Sequence, residues 1–274
     1  QFDLYGTKYR NIKVQYVGGK ETPWLFNFEG FSNPFKSLYL LEPAEEVYTS
    51  GLTIVAYAPW VSGADIITNI PFTIGGRAEE LSDLMWASQN SPQKGTNYKI
   101  IPNGEDKTVV LTFNHSLSLI NLGFKCKNPG SLITLSSVVL RNISDQTPLC
   151  SKGSFNAMNG TITSTHFTSE VEFDFTADLV QNAVQFSSTD EYVYVPILIC
   201  PVEYKGGYQL EFNFNGLDDK ENKVVYEITP EDVNEEFLSG NAYNFKFTLD
   251  NYIQFEGVSI SSGFVDGGKY EIKF

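Results

Sequence analysis

Alternation of apolar and polar residues along most of the chain is the feature that most restricts its fold. In E-V-E-F-D-F, for example, charged residues separate the apolar residues Val171, Phe173 and Phe175. Successive side chains of a strand point to opposite faces, so this pattern predicts strands with one buried and one solvated face. The same pattern recurs in N-I-K-V-Q-Y (11–16), N-I-P-F-T-I (69–74), T-V-V-L-T-F (108–113), Y-Q-L-E-F-N-F (208–214), A-Y-N-F-K-F-T-L (242–249) and K-Y-E-I-K-F (269–274). Such strands are typical of antiparallel sheets packed as a β-sandwich.

Turn residues lie between these predicted strands. Hairpin turns are predicted at Asn103-Gly104, Asn159-Gly160, Asn215-Gly216 and Asp266-Gly267, because such pairs tolerate positive φ angles. In Y-I-Q-F-E-G-V-S-I (252–260) the apolar positions change parity at Gly257, which predicts a β-bulge there.

Helix signals are few. The segment 229–240 has Thr229 as a candidate N-cap, Pro230 at the first helical position and Gly240 as a stop, which predicts a helix around residues 230–238. The segment 77–87 is ambiguous: it fits two short helical turns or an irregular core segment. The predicted fold class is therefore all-β with very little helix.

Composition and charge narrow the range of functions. Hydrophobic residues make up 42% of the 274 residues and charged residues 19%, which is enough apolar sequence for a sizeable core. The net charge of −14 and the lack of Lys/Arg clusters argue against nucleic-acid binding. No apolar run is long enough to span a bilayer, and the sequence fits either a cytosolic protein or a secreted protein whose leader has been removed.

Residues that carry chemistry are sparse. Cys126, Cys150 and Cys200 are far apart in the sequence and lack metal-ligand spacing, which favours buried free thiols, although one disulfide is compatible with the sequence. The two histidines, His115 and His166, have no ligand or nucleophile at motif spacing and are interpreted as structural. The sequence therefore predicts no catalytic, cofactor-binding or metal-binding residues, and the acidic run at 218–221 is interpreted as a solvated loop.

The segment D-L-M-W-A (83–87) differs from its surroundings, because three large apolar residues stand in a row before a polar, turn-forming stretch at 88–97. This stretch predicts a linker between an N-terminal sandwich at 1–95 and a C-terminal sandwich at 96–274. Asp83, Leu84, Met85 and Trp86 would then form the domain junction. The alternative is an ordinary core helix within one domain.

The D-L-M-W-A segment and the following V-V-L-T-F-N-H-S-L-S-L-I (109–120) resemble the fimbrillins of Bacteroidales, the Mfa-like subunits of type V pili. Similar stretches are I-V-A-Y-A-P-W (54–60), G-S-F-N-A-M-N-G-T-I-T (153–163), V-Y-V-P-I-L-I-C-P (193–201) and S-G-N-A-Y-N-F-K-F-T-L-D (239–250). The resemblance implies two transthyretin-like β-sandwiches, export as a lipoprotein to the outer membrane or the fimbrium, and assembly by strand donation between subunits. The chain has no lipobox cysteine, so a lipid would sit on an N-terminal Cys that has been removed.

The resemblance favours a non-catalytic structural or adhesive fimbrial subunit, with other fimbrial subunits and host or bacterial surface ligands as partners. Arg10 is the candidate processing site. The candidate donor strand comprises Tyr252, Ile253, Phe255, Val258, Ile260, Tyr270, Ile272 and Phe274.

Two alternatives remain open on the sequence alone. One is a surface carbohydrate-binding module that stacks sugars on Trp24, Trp60 or Tyr204, and the other is a hydrolase on a sandwich scaffold.

Overall fold

The computed structural model of the protein describes residues 55–62, 67–77, 82–88, 111–127, 133–144, 148–175, 191–215, 223–249 and 253–262 with their side chains. It describes the backbone alone for the strands at 2–4, 7–9, 13–16, 24–27, 52–53, 99–100, 108–110, 184–186 and 269–273. These residues are almost entirely β-strand, which confirms the all-β fold class with very little helix.

The strands of the first part of the chain are short. They are β1 (Phe2–Leu4), β2 (Thr7–Tyr9), β3 (Lys13–Tyr16), β4 (Trp24–Asn27), β5 (Leu52–Thr53), β6 (Ala56–Ala58), β7 (Ile70–Thr73), β8 (Gly76–Arg77), β9 (Met85–Ala87), β10 (Lys99–Ile100), β11 (Thr108–Thr112) and β12 (Asn114–His115).

The later strands include the long ones that form the two largest sheets. They are β13 (Ser118–Cys126), β14 (Ile133–Asn142), β15 (Leu149–Phe155), β16 (Ile162–Thr168), β17 (Glu170–Asp174), β18 (Val184–Phe186), β19 (Val193–Ile199), β20 (Val202–Glu203), β21 (Tyr208–Asn215), β22 (Lys223–Ile228), β23 (Glu236–Phe237), β24 (Asn241–Leu249), β25 (Ile253–Ser262) and β26 (Lys269–Lys273). The helix α1 (Pro230–Val233) lies between β22 and β23.

Two sheets carry most of the core. One has the strand order β19-β13-β24-β25, and the other has the order β22-β21-β14-β17-β8 with β18 also paired to β14. Most ladders are antiparallel, but β13 pairs with β24 in parallel, and so does β17 with β8. The sequence predicted antiparallel sheets only, because alternation reports the two faces of a strand and not the direction of its neighbour.

Aromatic side chains join these two sheets. Phe124 on β13 meets Phe212 on β21 edge to face, with ring centroids 5.5 Å apart. Phe124 also stacks on Phe247 of its neighbour β24 at 5.4 Å, and Phe247 reaches Phe212 at 5.0 Å. The three rings are buried, so the two sheets face each other across one apolar layer.

The alternation predicted from sequence holds on most of the strands where side chains are described. On β17 the apolar residues Val171 and Phe173 are buried, whereas Glu170 and Glu172 are exposed. Strand β24 likewise buries Tyr243, Phe245, Phe247 and Leu249.

Strand β21 departs from the alternation, because Glu211 is buried although it was expected on the solvated face. Its carboxylate accepts hydrogen bonds from Arg141 on β14 and Lys223 on β22, at 3.1 and 2.6 Å. Burial raises the pKa of Glu211, but hydrogen bonds from Lys223 and Arg141 outweigh it and lower the pKa overall. Charged partners on both adjacent strands therefore allow a carboxylate inside the sheet.

The β-bulge predicted at Gly257 is present between β24 and β25. Lys246 is paired with Gly257 and Phe247 with Phe255, so Glu256 is the extra residue of the bulge. Gly257 has φ of +147°, which side chains other than glycine's rarely allow.

The predicted hairpin turns have different outcomes. Asn159-Gly160 lies in the loop that connects β15 to β16, which confirms that hairpin. Asn215 ends β21 before the hairpin to β22, although Gly216 lies outside the described residues. The turns at 103–104 and 266–267 also lie outside them.

The helix predicted at 230–238 is shorter than expected. It begins as predicted, with Pro230 in the first turn and the Asp232 carboxylate accepting a hydrogen bond from the Thr229 N–H at 2.8 Å. It ends at Val233 because Asn234 takes the left-handed conformation, with φ of 52°. Phe237 is therefore buried from strand β23 and not from a helical face. Among the described residues, no helix is long and apolar enough to cross a membrane.

The described part of the ambiguous segment 77–87 is not helical. Residues 82–84 have no regular structure and Met85–Ala87 form β9, so the core-helix alternative is wrong. Three apolar residues in a row fit a strand that is covered on both sides, and periodicity alone does not separate this from a helix.

Several ladders join strands on either side of the predicted domain boundary. Strand β7 pairs with β15, β8 with β17 and β9 with β12. Residues 70–77 are thus hydrogen-bonded to strands that lie more than 70 residues later in the chain. Residues 95 and 96 lie outside the described residues, so the division of the chain into two domains at this point stays a prediction.

Trp86 packs under the β15–β16 hairpin. Its side chain is 6% exposed, and its indole lies against Gly160. A Cβ atom on Gly160 would stand 2.1 Å from the indole Nε1, and Gly160 has φ of +74°. A larger residue would clash with the indole and would rarely take this φ angle, so position 160 requires glycine. The hairpin loop can therefore lie directly against Trp86.

We expect Trp86→Ala to lower the free energy of unfolding by about 3–5 kcal/mol, because truncating a buried aromatic side chain leaves a cavity. Urea denaturation followed by circular dichroism measures the change. Phe167→Ala on the adjacent strand β16 is the matched control, since Phe167 is 56% exposed and its loss should cost little. A loss below about 1 kcal/mol for Trp86→Ala would contradict the packing described here.

Candidate functional site

The segment Asp83–Trp86 lies between strands from two distant parts of the chain. Strand β9 pairs with β6 on one side and β12 on the other, so Trp86 faces Tyr57 and Asn114 in the two ladders. Leu84 is buried, and its carbonyl accepts a hydrogen bond from the Ser116 N–H at 2.8 Å. Both sides of this segment are therefore held by backbone hydrogen bonds.

Asp83 adds a side-chain contact to the same place. Its carboxylate is hydrogen-bonded to Nδ1 of His115 on β12, the strand that pairs with β9. The carbonyl of His115 accepts a hydrogen bond from the Ser239 hydroxyl at 2.9 Å, which brings in the turn before β24. His115 thus joins Asp83 to the turn before β24, whereas His166 is exposed on β16.

The four predicted junction residues are buried to different degrees. Leu84 and Trp86 are buried, while Asp83 and Met85 are half-buried. Together they connect β6, β12, the β15–β16 hairpin and the turn at Ser239. Their role as a junction between two domains stays a prediction, because it depends on the untested boundary.

The candidate donor residues divide between two strands, β25 and β26. Strand β25 pairs with β24 and lies at an edge of its sheet, since no other described strand pairs on its far side. Phe255 anchors it: its ring lies 4.3 Å from that of Tyr226 and 5.6 Å from that of Phe247. Ile253 and Val258 are half-buried, and Ile260 is exposed. Tyr252 lies outside the described residues.

The bulge residue Glu256 fixes β25 by polar contacts. Its carboxylate accepts hydrogen bonds from the Thr248 hydroxyl, the Tyr192 hydroxyl and the Lys125 ammonium, which come from β24, the segment before β19, and β13. The hydrogen bonds from Thr248 and Tyr192, followed by that from Lys125, lower the pKa of Glu256 to about 2. The carboxylate is thus stabilised in its charged form by three segments of the same sheet.

Strand β26 has a different environment. It pairs antiparallel with β11, with Tyr270 opposite Leu111 and Ile272 opposite Val109. Among the described strands, β11 and β26 form a sheet of two. Leu111 is buried, so the acceptor strand contributes to the core. Phe274 lies outside the described residues.

The N-terminal region shows one further ladder. Strand β1 pairs with β2 over three residue pairs, and neither pairs with any other described strand. Arg10, the candidate processing site, lies outside the described residues. The described ladders therefore do not indicate a larger sheet that would open if residues 1–10 were removed.

Residues proposed for other chemistry are not brought together in the described part of the chain. No group of three or more His, Cys, Asp or Glu residues is arranged there to hold a metal ion. Tyr204 is half-buried, its ring packs on Tyr208 at 5.6 Å, and its hydroxyl donates to the Ile228 carbonyl at 2.6 Å. Trp60 is half-buried, and the Trp24 side chain and the acidic run at 218–221 lie outside the described residues.

Sequence reasoning missed two parts of this site. The parity change at Gly257 indicated the bulge, but nothing in the sequence indicated that Glu256 would meet Lys125 and Tyr192. The pairing of β26 with β11 was also missed, although both segments show strong alternation.

Three of the solved structures to which the chain is similar come from Bacteroides species. A proposed cell adhesion protein from Bacteroides ovatus is 17% identical, with 89% of this chain and 79% of that chain covered and a TM-score of 0.49. A proposed cell adhesion protein from Bacteroides uniformis is 14% identical, with coverages of 76% and 71% and a TM-score of 0.46. A fimbrial protein from Bacteroides vulgatus is 17% identical, with 77% of each chain covered and a TM-score of 0.29.

A search of curated proteins found no match to the chain. The family model described as fimbrillin-like matches residues 46–262, which is more than half of the sequence. The matched range includes the D-L-M-W-A segment, both large sheets and strand β25. On this match, the chain belongs to the fimbrillin-like family.

Proposed function

We propose that this protein is a non-catalytic structural or adhesive subunit of cell-surface fimbriae, and that its subunits assemble by exchanging the C-terminal strand β26. Family membership supports the fimbrial role. The strand exchange is supported above all by one observation: among the described strands, β26 pairs with β11 alone, in a ladder separate from the larger sheets.

The separate ladder matters because of what its loss would disturb. Removing β26 would break the five residue pairs with β11 and leave the four-stranded and six-stranded sheets paired as they are. A two-stranded ladder is marginally stable in isolation, so its strands exchange partners more readily than those of a large sheet. Strand β11 would then offer its free edge to β26 of another copy, which is recognition by strand addition.

Strand β25 is poorly suited to leave. Its release would expose Phe255, which packs on Tyr226 and Phe247, and would separate Glu256 from its three hydrogen-bond donors. We therefore assign the two halves of the candidate donor different roles. β25 holds the C-terminal region to its own subunit, and β26 extends to the next subunit.

Exchange of β26 would recreate the contacts that it replaces, because the acceptor strand is the same in every copy. The free energy difference between the exchanged and the unexchanged form then comes from the connecting segment and from the association of two copies, as in domain swapping. The segment 263–268, G-F-V-D-G-G, contains three glycines, which allow many backbone conformations. When each copy donates β26 to a copy other than the one that donates to it, the contact is head-to-tail, and it continues into a filament when it does not close.

Other features belong to the proposal through the family resemblance. They are attachment to the outer membrane through a lipid on an N-terminal Cys, processing at Arg10, and binding of host or bacterial surface ligands. None of these is needed for the exchange of β26, and each stays a prediction.

We expect a mixture of Val110→Cys chains and Glu271→Cys chains to form a disulfide-linked mixed dimer, because these two positions face each other in the β11–β26 ladder. Each variant carries one half of the pair, so the link forms only when β26 of one chain lies beside β11 of another. A mass tag on one variant distinguishes the mixed dimer on a non-reducing gel.

The matched control replaces Glu271→Cys with Lys273→Cys, which is two residues out of register with Val110. Diagonal positions lie about 7–8 Å apart, beyond the reach of an unstrained disulfide, so the mixed dimer should fall by at least about tenfold. A chain that carries both Val110→Cys and Glu271→Cys shows whether the ladder permits the link. The proposal fails if this double variant links within one chain while the mixture gives no more mixed dimer than the control.

We expect Glu256→Gln to reduce the free energy of unfolding at pH 7 by about 1–2 kcal/mol, because an amide replaces a carboxylate held by an ammonium and two hydroxyls in a partly solvated site. The folded-state pKa of Glu256 is depressed to about 2, so its contribution is present above the ordinary pKa of 4.5 and is lost as the pH falls towards 2. The stability difference between wild type and variant should therefore shrink over that range.

Urea denaturation at several pH values measures this difference. Glu227→Gln on β22 serves as the control, since Glu227 is exposed, and its effect should be small at every pH. A wild-type advantage that stays constant from pH 7 to pH 2 would show that the carboxylate is not held as described.

A further inference from the structure

The outer face of the four-stranded sheet carries tyrosine, lysine and asparagine side chains. Strands β13 and β24 turn their large apolar residues into the core, so the residues that alternate with these point to the opposite face. In the ladders of this sheet, Gly123 on β13 is paired with Tyr194 of β19 on one side and with Lys246 of β24 on the other. These three residues form the middle row of the outer face.

The Tyr194 ring lies against the sheet at Gly123. A Cβ atom on Gly123 would stand 2.7 Å from Cε1 of Tyr194 and 3.3 Å from Cδ1 of Tyr192. Because Gly123 has no side chain, both rings approach the backbone there, and their centroids are 6.0 Å apart. Tyr194 is nonetheless 45% exposed, so a large part of its ring is open to a ligand.

The two lysines of this face differ in their surroundings. The Lys125 ammonium pairs with the Glu256 carboxylate at 3.1 Å, so its charge is balanced. The Lys246 ammonium lies 5.1 Å from the centroid of the Tyr192 ring, and within the described part of the chain no carboxylate pairs with it. One unbalanced positive charge therefore stands beside the tyrosines, on a chain whose net charge is −14.

Two asparagine amides lie in the next row of the same face. Asn121 donates a hydrogen bond to the Asn244 amide oxygen at 3.0 Å, and Asn244 donates to the Ser259 carbonyl at 3.2 Å. These bonds fix the orientation of both amides, and the amide oxygen of Asn121 can accept a hydrogen bond from a hydroxyl group. An aromatic ring, a positive charge and a polar row thus lie side by side.

We propose that this face, around Tyr194 and Lys246, binds glycans that contain a carboxylated pyranose sugar. The face of a tyrosine ring carries partial negative charge, which attracts the C–H groups on the apolar side of a pyranose. The Lys246 ammonium meets the sugar carboxylate, and the Asn121 amide meets a sugar hydroxyl. A protein partner fits less well, because the centre of a protein interface is depleted of charged residues, whereas Tyr194 has Lys246 in its row.

The use of this face in adhesion rests on the proposed function. Binding itself does not, because it is measured on the purified chain and involves no residue of β11 or β26. Absence of glycan binding would leave the fimbrial role and the strand exchange intact. Failure of the strand exchange would likewise leave the glycan site intact.

Titration of the purified chain, followed by nuclear magnetic resonance, measures binding of two carboxylated probes, sialyllactose and trigalacturonic acid, and of their neutral counterparts, lactose and the matching galactose trimer. We expect at least one carboxylated probe to bind at least about threefold more tightly than its counterpart at low salt, because the Lys246 charge attracts it. This advantage should shrink in about 0.5 M sodium chloride, which screens exposed charges. The two carboxylated probes distinguish a sialylated glycan from a uronic acid polymer.

Variants separate the two contacts. Tyr194→Ala should weaken the binding of carboxylated and neutral probes alike, at least about fivefold, because the stacking surface is lost. Lys246→Gln should remove only the preference for the carboxylated probe, whereas Lys246→Arg should keep it. Phe167→Ala and Lys152→Gln are the matched controls, since both residues are exposed on strands of another sheet, and they should leave binding unchanged.

The proposal is overturned if neither carboxylated probe binds better than its neutral counterpart, or if Tyr194→Ala and Lys246→Gln bind the probes like the wild type. It is also overturned if the chain binds no probe and Tyr194→Ala dissociates a dimer in light scattering, because the face would then join two copies of the chain. Circular dichroism checks that each variant is folded, and the comparison of probes on the wild type needs no variant.

Discussion

Contact between Phe124 and Phe212 holds the two principal sheets together, and the remaining structure depends on it. Phe124 lies on β13, between β19 and β24, and Phe212 lies on β21, between β14 and β22. Each ring therefore projects from an interior strand of its sheet. A gap at this position would affect both sheets at once, because buried aromatic residues contribute more packing area than any other residue type.

The edges of the molecule are built differently from this centre. Strand β25 is an edge strand, but its bulge places the Glu256 carboxylate among three hydrogen-bond donors. The irregularity in the ladder therefore attaches β25 to neighbouring segments. Bulges and charged residues on edge strands also hinder uncontrolled pairing with other chains. Strand β25 is thus a protected edge, whereas β26 is a short strand that pairs with β11.

The sequence predicted which face of a strand is buried better than it predicted which strands lie next to each other. Alternation identified the buried side of β17 and β24, and the parity change at Gly257 located the bulge, because these features are local. The parallel pairing of β13 with β24 and the ladder of β26 with β11 were not predictable, since periodicity carries no information about which strands adjoin. The helix ended early because Asn234 takes a left-handed conformation, which asparagine allows but which the prediction of a glycine stop at Gly240 overlooked. Glu211 was misjudged because its counter-charges, Arg141 and Lys223, lie on neighbouring strands, and the alternation within β21 gives no sign of them.

The parallel ladder of β13 with β24 has a consequence for the timing of folding. Asn121 and Asn244 are hydrogen-bonded across it although they are 123 residues apart. Contacts between such distant residues form slowly, because a long loop must close before the contact is made. The central strand of this sheet therefore lacks one neighbour until residues up to Leu249 are available. Strand β13 therefore waits for a partner from which more than 100 residues separate it, and the sheet is incomplete until β24 arrives.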